Sequence, residues 1–346
     1  MDSTILLALI QDGLVNGAIY ALLGIALVLV FLVTRVILIP QGEFVAFAAL
    51  TLDQLQRGDR PGTAGLLVAL GVAAFVIDSA RLRRRITRAW LLRHIASDLI
   101  LPGVVFALVA MVASHKPGPA LASLLTCLLV APAGPYIYRL AFQPLQQASS
   151  LVLLIAAMGV HLALSVMGLV FFGPEGFESP SFSDASFTLR NVEISGQDVI
   201  MIGVSLVIML VLWLFFERTL YGKALRAVAV NRTGAQLVGV PIAMAGEIAF
   251  ALAGLIGAVS GILIAPVTMV YYDSGFLIGL KGFVAALIGG IASYPLVVAG
   301  AFAVGIVQSF AAFWNSAFTE VIVFMILIPV LLLRSLRAPT VDEEEE

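Results

Sequence analysis

The sequence predicts an all-α fold, a polytopic transmembrane helical bundle of about 9–11 membrane segments, one or two of them broken or re-entrant. Three observations predict it. Hydrophobic residues make up 61% of the chain and charged residues only 12%, against about 25% charged in soluble domains. Apolar runs of roughly twenty residues recur, the length that crosses a hydrocarbon core of about 30 Å. Arginines and lysines gather in a few of the connections, which marks the inner side of a membrane.

Taken in order, the apolar runs are 5–32, 36–56, 62–79, 98–115, 119–138, 149–172, 198–217, 242–265, 279–294, 296–315 and 319–335. No Lys or Arg precedes Arg35, so the first run lacks the positive leader of a secretory signal peptide and reads as a retained helix. The second contains Pro40-Gln-Gly-Glu43, and the ninth is short and ends at Gly289-Gly290. Both are candidates for broken or re-entrant elements, tolerated only where protein or a cavity satisfies the freed backbone groups. The eighth carries Gly254, Gly257 and Gly261, a spacing that puts small residues on one face for close packing. Residues 1–338 read as a single transmembrane domain, and 339–346 as an acidic cytoplasmic tail without an assigned role.

Charge sets the orientation. Arg81, Arg83, Arg84, Arg85, Arg88 and Arg93 make 81–98 cytoplasmic. Arg139 fits a second inner loop, 218–241 a third, and Arg334 and Arg337 put the C-terminus inside. The longest connection, 173–197, carries Glu175, Glu178, Asp184 and Glu193 against Arg190 alone and belongs outside. If 36–56 crosses, the N-terminus is outside; if it is re-entrant, the N-terminus is inside.

Catalytic signatures are missing. The sequence has no P-loop, no Gly-x-Ser-x-Gly and no His-Glu-x-x-His. Cys127 is the single cysteine, and His94, His115 and His161 have no ligand-like spacing, so no metal site or disulfide is expected within the chain. The chain reads as a non-enzyme without a cofactor of its own. A net charge of −2 gives no hint of nucleic-acid binding. His161 reads as a packed or hydrogen-bonded helix residue. Ionisable residues inside the runs are few, with Glu43 and Glu247 the clearest and Glu320 at the outer edge. A proton- or sodium-coupled carrier usually shows more of them. A stand-alone secondary carrier for a small solute is therefore the alternative reading, not the first.

Two stretches are candidate sites. At Gln41, Gly42 and Glu43, a helix-breaking proline and a glycine precede a carboxylate at membrane depth. Glu43 lines a pathway or holds a broken helix together, unless the segment lies at the surface and Glu43 is solvated. The second candidate is the polar stretch Tyr221 to Pro241. Asn231 is a good N-cap, Gly239 suits a left-handed C-terminal position, and Pro241 stops the helix. A helix over Arg232–Val238 would be roughly 10 Å long, too short to stand alone in water. Arg218, Lys223, Arg226 and Arg232 place it inside. Docking to a soluble partner suits such a helix, and an ordinary basic loop fits the spacing as well.

Four stretches resemble the inner-membrane permease subunits of branched-chain amino-acid ABC transporters of the high-affinity uptake type. They are Gly13 to Gly24 with Gln41-Gly-Glu43, Phe142-Gln-Pro-Leu145 with Leu154 to Gly159, Tyr221 to Val240, and Gly279 to Gly290. The chain departs from the family pattern before Gln41, where Asn-Phe is missing, and at Gln143 and Gln146. The resemblance covers 5–56 and about 118–338. Residues 57–117 look like an inserted pair of crossings joined by the arginine-rich segment. The resemblance implies a multi-pass protein of a bacterial inner membrane. Its implied cargo is a branched-chain amino acid or a similar small polar solute. The implied partners are cytoplasmic ABC ATPase subunits that bind the ATP, a second permease subunit, and a periplasmic or extracellular solute-binding protein. It also implies that Tyr221, Gly222, Arg226, Asn231, Arg232, Ala235, Leu237, Val238 and Gly239 form the ATPase-coupling loop.

Overall fold

A computed structural model describes residues 3–81, 87–189, 192–290 and 293–337; Arg83, Arg84, Arg85, Arg190 and the acidic tail lie outside the described residues. Among the described residues, 8 helices are long and apolar enough to cross a membrane. They are α1 (Ser3–Thr34), α3 (Gly62–Arg81), α4 (Arg88–Ala113), α5 (Pro119–Leu145), α6 (Ser150–Phe172), α7 (Gly196–Arg218), α10 (Ile242–Ile264) and α12 (Tyr294–Trp314). Between and after them lie α2 (Gln41–Arg57), α8 (Leu220–Val230), α9 (Arg232–Leu237), α11 (Ser274–Gly289), α13 (Thr319–Met325) and α14 (Leu327–Arg337). One short antiparallel hairpin, β1 (Ser186–Leu189) with β2 (Val192–Ser195), stands in the long connection, with Thr188 opposite Glu193.

The bundle is built on α1, which is apolar all round and almost wholly enclosed, as expected for a helix without a polar stripe. It runs antiparallel to α12. Glycines bring the two backbones together, since a Cβ at Gly13 would lie 2.6 Å from the Ile306 Cα and one at Gly17 2.8 Å from the Phe302 Cα. The predicted glycine face of α10 is used twice. Gly257 meets Phe44 and Gly261 meets Val45 of α2, while Gly254 meets Ala131 of α5. Helices α6 and α7 keep most of their surface outside the bundle, and their exposed faces are apolar, as lipid contact requires.

The two ends of the bundle differ. At one end, Gly246 of α10 lies against Tyr138 of α5, Arg139 of α5 binds Asp78 of α3, and Phe216 of α7 stacks on Tyr294 of α12 at 5.7 Å. Helices α8 and α9 are at this end. At the other end, Gln11 of α1 donates to Asp198 of α7 (3.0 Å), Phe177 pairs with Val270, and Arg57 lies over the Phe177 ring at 4.5 Å.

The second apolar run crosses between these ends in two halves. Residues 35–40 are not helical, Arg35 takes φ 63, and α2 begins only at Gln41. The start of α2 sits at the middle of the membrane. Gln41 bonds Ala253, the central residue of the 23 in α10, and Glu43 bonds His161, the central residue of the 23 in α6. From there α2 rises to Arg57 at the hairpin end. The run is therefore a crossing, and α1 starts at the hairpin end.

Several expectations are corrected. The ninth run is a helix over Ser274–Gly289, not 279–294, because it starts at the glycine contact with α2 and stops at Gly290 with φ 71. Its 16 residues reach about 24 Å, short of a full core. The fourth run starts at Arg88, not 98, because Thr87 caps the helix by accepting from the Trp90 N–H at 3.2 Å. Most of 81–98 is thus helix rather than loop. Arg139 lies inside α5 rather than in an inner loop, since α5 continues to Leu145. The last run is broken at Ile326 into α13 and α14.

Candidate functional site

The broken crossing makes the most enclosed polar site. Gly42 of α2 lies directly on α11, where a Cβ would collide with the Gly275 carbonyl and approach the Gly279 nitrogen to 2.7 Å. This close approach lets two part-length helices meet at mid-depth. Gln41 donates its Nε2 to the Ala253 carbonyl at 3.0 Å, tying α2 to α10. Glu43 Oε1 lies 2.8 Å from His161 Nδ1, and the His161 ring lies 4.8 Å from the Phe276 ring of α11. Glu43 is 1% exposed, so it is not on a solvated surface. Gln41 Oε1 and Glu43 Oε2 are buried without a protein partner. A cavity of about 20 Å³ beside Glu43, lined also by Phe44, Phe47, Thr63, Leu129 and Leu164, has room for about one water. An amino acid does not fit there in this conformation.

The polar stretch folds as two helices, not one. α8 was not foreseen. Thr219 caps it by accepting from the Gly222 N–H (3.0 Å), and Leu225 and Val228 are buried beneath it. Its spacing of apolar residues at 225 and 228 was the available signal. Gly222 lets α8 fold tightly back on the end of α7, against the Phe215 carbonyl. Arg226 donates to the Phe216 carbonyl (2.5 Å) and pairs with Glu217 at 3.1 Å. Asn231 caps α9 as expected, accepting from the Gly234 N–H at 2.8 Å. Arg232 opens α9 and Ala235 is its buried contact. The helix ends one residue early, leaving Val238 as the C-cap, and Gly239 has φ 88. Leu237 and Val238 are 84% and 79% exposed. Together with exposed Leu220, Tyr221 and Val230 they give this end an apolar surface.

A third constellation escaped the sequence reading. Arg139 forks onto Asp98 with bonds of 2.7 and 2.8 Å and reaches Asp78 through Nε at 3.1 Å. Arg139 and Asp98 each sit in a π-helical turn, Tyr138–Phe142 and Ile95–Ile100. Ser97 donates to Asp98 at 2.8 Å, and the Tyr136 hydroxyl donates to the Ser97 carbonyl at 2.7 Å. This network ties α3 and α4 to α5. Elsewhere, Lys281 of α11 pairs with Glu320 of α13 at 2.7 Å. Among the described residues no group of three or more His, Cys, Asp or Glu could hold a metal ion.

A helical bundle with a broken crossing at mid-depth, a glycine contact between two part-length helices and an exposed apolar surface on a polar loop is that of a multi-pass membrane protein. The chain belongs to the family of permease components of branched-chain amino acid transport systems, whose model matches residues 96–331. That match takes in 96–117 and leaves out 5–56. The chain is 28% identical over 208 residues to the high-affinity branched-chain amino acid transport system permease protein BraD of Pseudomonas aeruginosa, covering 58% of this chain and 68% of BraD. It is 28% identical over 203 residues to the corresponding protein LivH of Escherichia coli, covering 57% and 66%. It is also 32% identical over 111 residues to the L-arabinose transport system permease protein AraH of Escherichia coli, covering 29% and 33%. The chain thus spans about two thirds of the length of BraD and LivH. No solved structure matches it.

Proposed function

We propose that this chain is the permease subunit of an ABC importer in a bacterial inner membrane. It moves a branched-chain amino acid or a similar small polar solute, and a partner ATPase supplies the energy. The observation that carries this is the family match over 96–331, which includes α8 and α9 with their exposed apolar surface. On this reading α8 and α9 face the cytoplasm and dock the ATPase through Tyr221, Leu237 and Val238. The basic end is inner, the hairpin end is outer, and α14 leaves the C-terminus inside. A second permease subunit completes the pathway, and a solute-binding protein delivers cargo to the hairpin end. ATP is bound by the partner. Helices α3 and α4 are fastened to the rest by Arg139.

The break at Gln41–Glu43 is the hinge of the crossing beside the pathway. Opening requires α2 and α11 to part at Gly42, since the cavity there is too small for cargo. Uptake of labelled leucine into proteoliposomes tests the reading, with the chain reconstituted alone or with its ATPases, second permease and binding protein. ATP-dependent uptake by the assembly alone is expected. Gradient-driven uptake by the chain alone would replace this reading with a secondary carrier.

A further inference from the structure

The first turns of α4 carry a surface that the transport reading leaves unused. The helix has 26 residues and reaches about 39 Å, roughly 9 Å more than the hydrocarbon core. Its apolar part is Ile95–Ala113, followed by the polar Ser114, His115 and Lys116. The surplus therefore falls at the start, over Arg88–His94, at headgroup depth.

The face of α4 that meets lipid can be followed along its length. Ile100, Val104, Leu108 and Met111 are exposed at steps of three and four, which keeps them on one side, and exposed Leu92 precedes them across the π turn Ile95–Ile100. Arg88 precedes Leu92 by four residues and heads the same stripe. Arg93 lies about 140° round the helix from Arg88, at the other edge of the exposed arc, in line with Ser97 and exposed Leu101. Trp90 stacks on His94 with ring centroids 4.1 Å apart, an amphipathic aromatic at the depth where tryptophan is enriched.

The charge on this surface is uncompensated. No Asp or Glu occurs between 79 and 97. The flanking acids, Asp78 and Asp98, are both bound to Arg139. Arg88 and Arg93 are exposed and have no carboxylate partner among the described residues. A helix face that continues the lipid-facing stripe and ends in unpaired arginines is complementary to a phosphate headgroup, with the stripe taking the acyl chains.

We infer that Arg88 and Arg93, at the two edges of this exposed arc, form a binding surface for anionic phospholipid headgroups of the inner leaflet. Arg81, paired only loosely with Asp78 at 3.8 Å, adds to its field. The leaflet assignment rests on the orientation proposed above; the binding chemistry does not. The surface also gives 57–117 a role, because Arg139 links its helices to the transport bundle.

The test uses the full chain in nanodiscs of phosphatidylcholine with a graded share of phosphatidylglycerol. Thermal unfolding and the lipid retained on extraction, read by mass spectrometry, are followed for wild type, R88Q/R93Q, R88K/R93K and the hairpin-end control R60Q. Wild type, R60Q and the lysine variant should retain phosphatidylglycerol selectively and melt higher as its share rises. The glutamine variant should bind it about fivefold more weakly for each arginine removed. Equal retention by wild type and R88Q/R93Q overturns the inference. So does loss of ATPase co-purification with lipid retention unchanged, which assigns the surface to the ATPase. If R88Q/R93Q does not fold, wild type decides alone: selective retention that weakens with rising salt supports the surface, and salt-independent or absent selectivity overturns it. Because no arm measures transport, failure here and failure of the importer reading are distinguishable.

Discussion

Glu43 spends one carboxylate oxygen on His161 and keeps the other buried without a protein partner. Glutamine at this position preserves the shape and a hydrogen-bond partner for the imidazole, whereas alanine removes both and enlarges the cavity. Glu43→Ala should therefore impair leucine uptake more than Glu43→Gln and lower stability by about 1–3 kcal/mol, read as uptake rate and melting temperature. Wild-type uptake by both variants would remove Glu43 from the transport account. Arg139 poses a sharper case, since Asp98 is 0% exposed and both of its oxygens accept from the guanidinium, Oδ1 also from Ser97. Arg139→Gln leaves the buried Asp98 carboxylate with only the Ser97 hydroxyl and should cost about 3–5 kcal/mol. Arg139→Lys recovers the charge without the fork and should fall between. A thermal melt of each purified variant checks the order, and an unchanged melt for Arg139→Gln would contradict it.

At the scale of elements, the loop helices are fixed by their caps. Gly239 at φ 88 stands in the region where a Cβ is strained, though open space surrounds it. Gly239→Val should therefore act through backbone strain at the exit of α9, weakening ATPase co-purification without altering membrane insertion. Asn231→Ala, which loses the bond to Gly234, should have a milder effect of about 1 kcal/mol on α9. Full co-purification by Gly239→Val would show that the exit geometry is not needed. Much of this was legible beforehand. Asn231, Gly239 and Pro241 state their roles locally, and Pro40 with Gly42 marks the break in the second crossing. The pairing of Glu43 with His161, 118 residues apart, was not legible, because spacing carries no information about which helices meet. Arg139 misled for another reason: near the end of an apolar run a charge reads as part of a solvated loop, and nothing in the spacing points from it to Asp78 or Asp98. The π turns that aim Arg139 and Asp98 at each other have no signature in composition. α8 was missed because only Leu225 and Val228 mark its buried side with large apolar side chains.

At the scale of the molecule, the account is a claim about two unlike ends. On the proposed reading, the end with α8, α9 and the arginines faces the ATPase, and the end with the hairpin faces the incoming cargo. In a Cys127→Ser background, a cysteine at Asp184 should react with an impermeant reagent from outside. One at Ala89 should react only after the inner face is opened, and the reverse pattern would invert the orientation. The central claim is that the apolar surface of α8 and α9 couples this permease to ATP. Leu237 is its most direct probe, since it is almost fully exposed here and becomes buried on docking. A charge placed there is desolvated without a partner when the ATPase binds. The decisive measurement is co-purification of the ATPase with Leu237→Asp, together with ATP hydrolysis stimulated by the binding protein. The account predicts that both fall well below wild type while the variant still inserts and melts normally. Wild-type co-purification and stimulation by Leu237→Asp would contradict it.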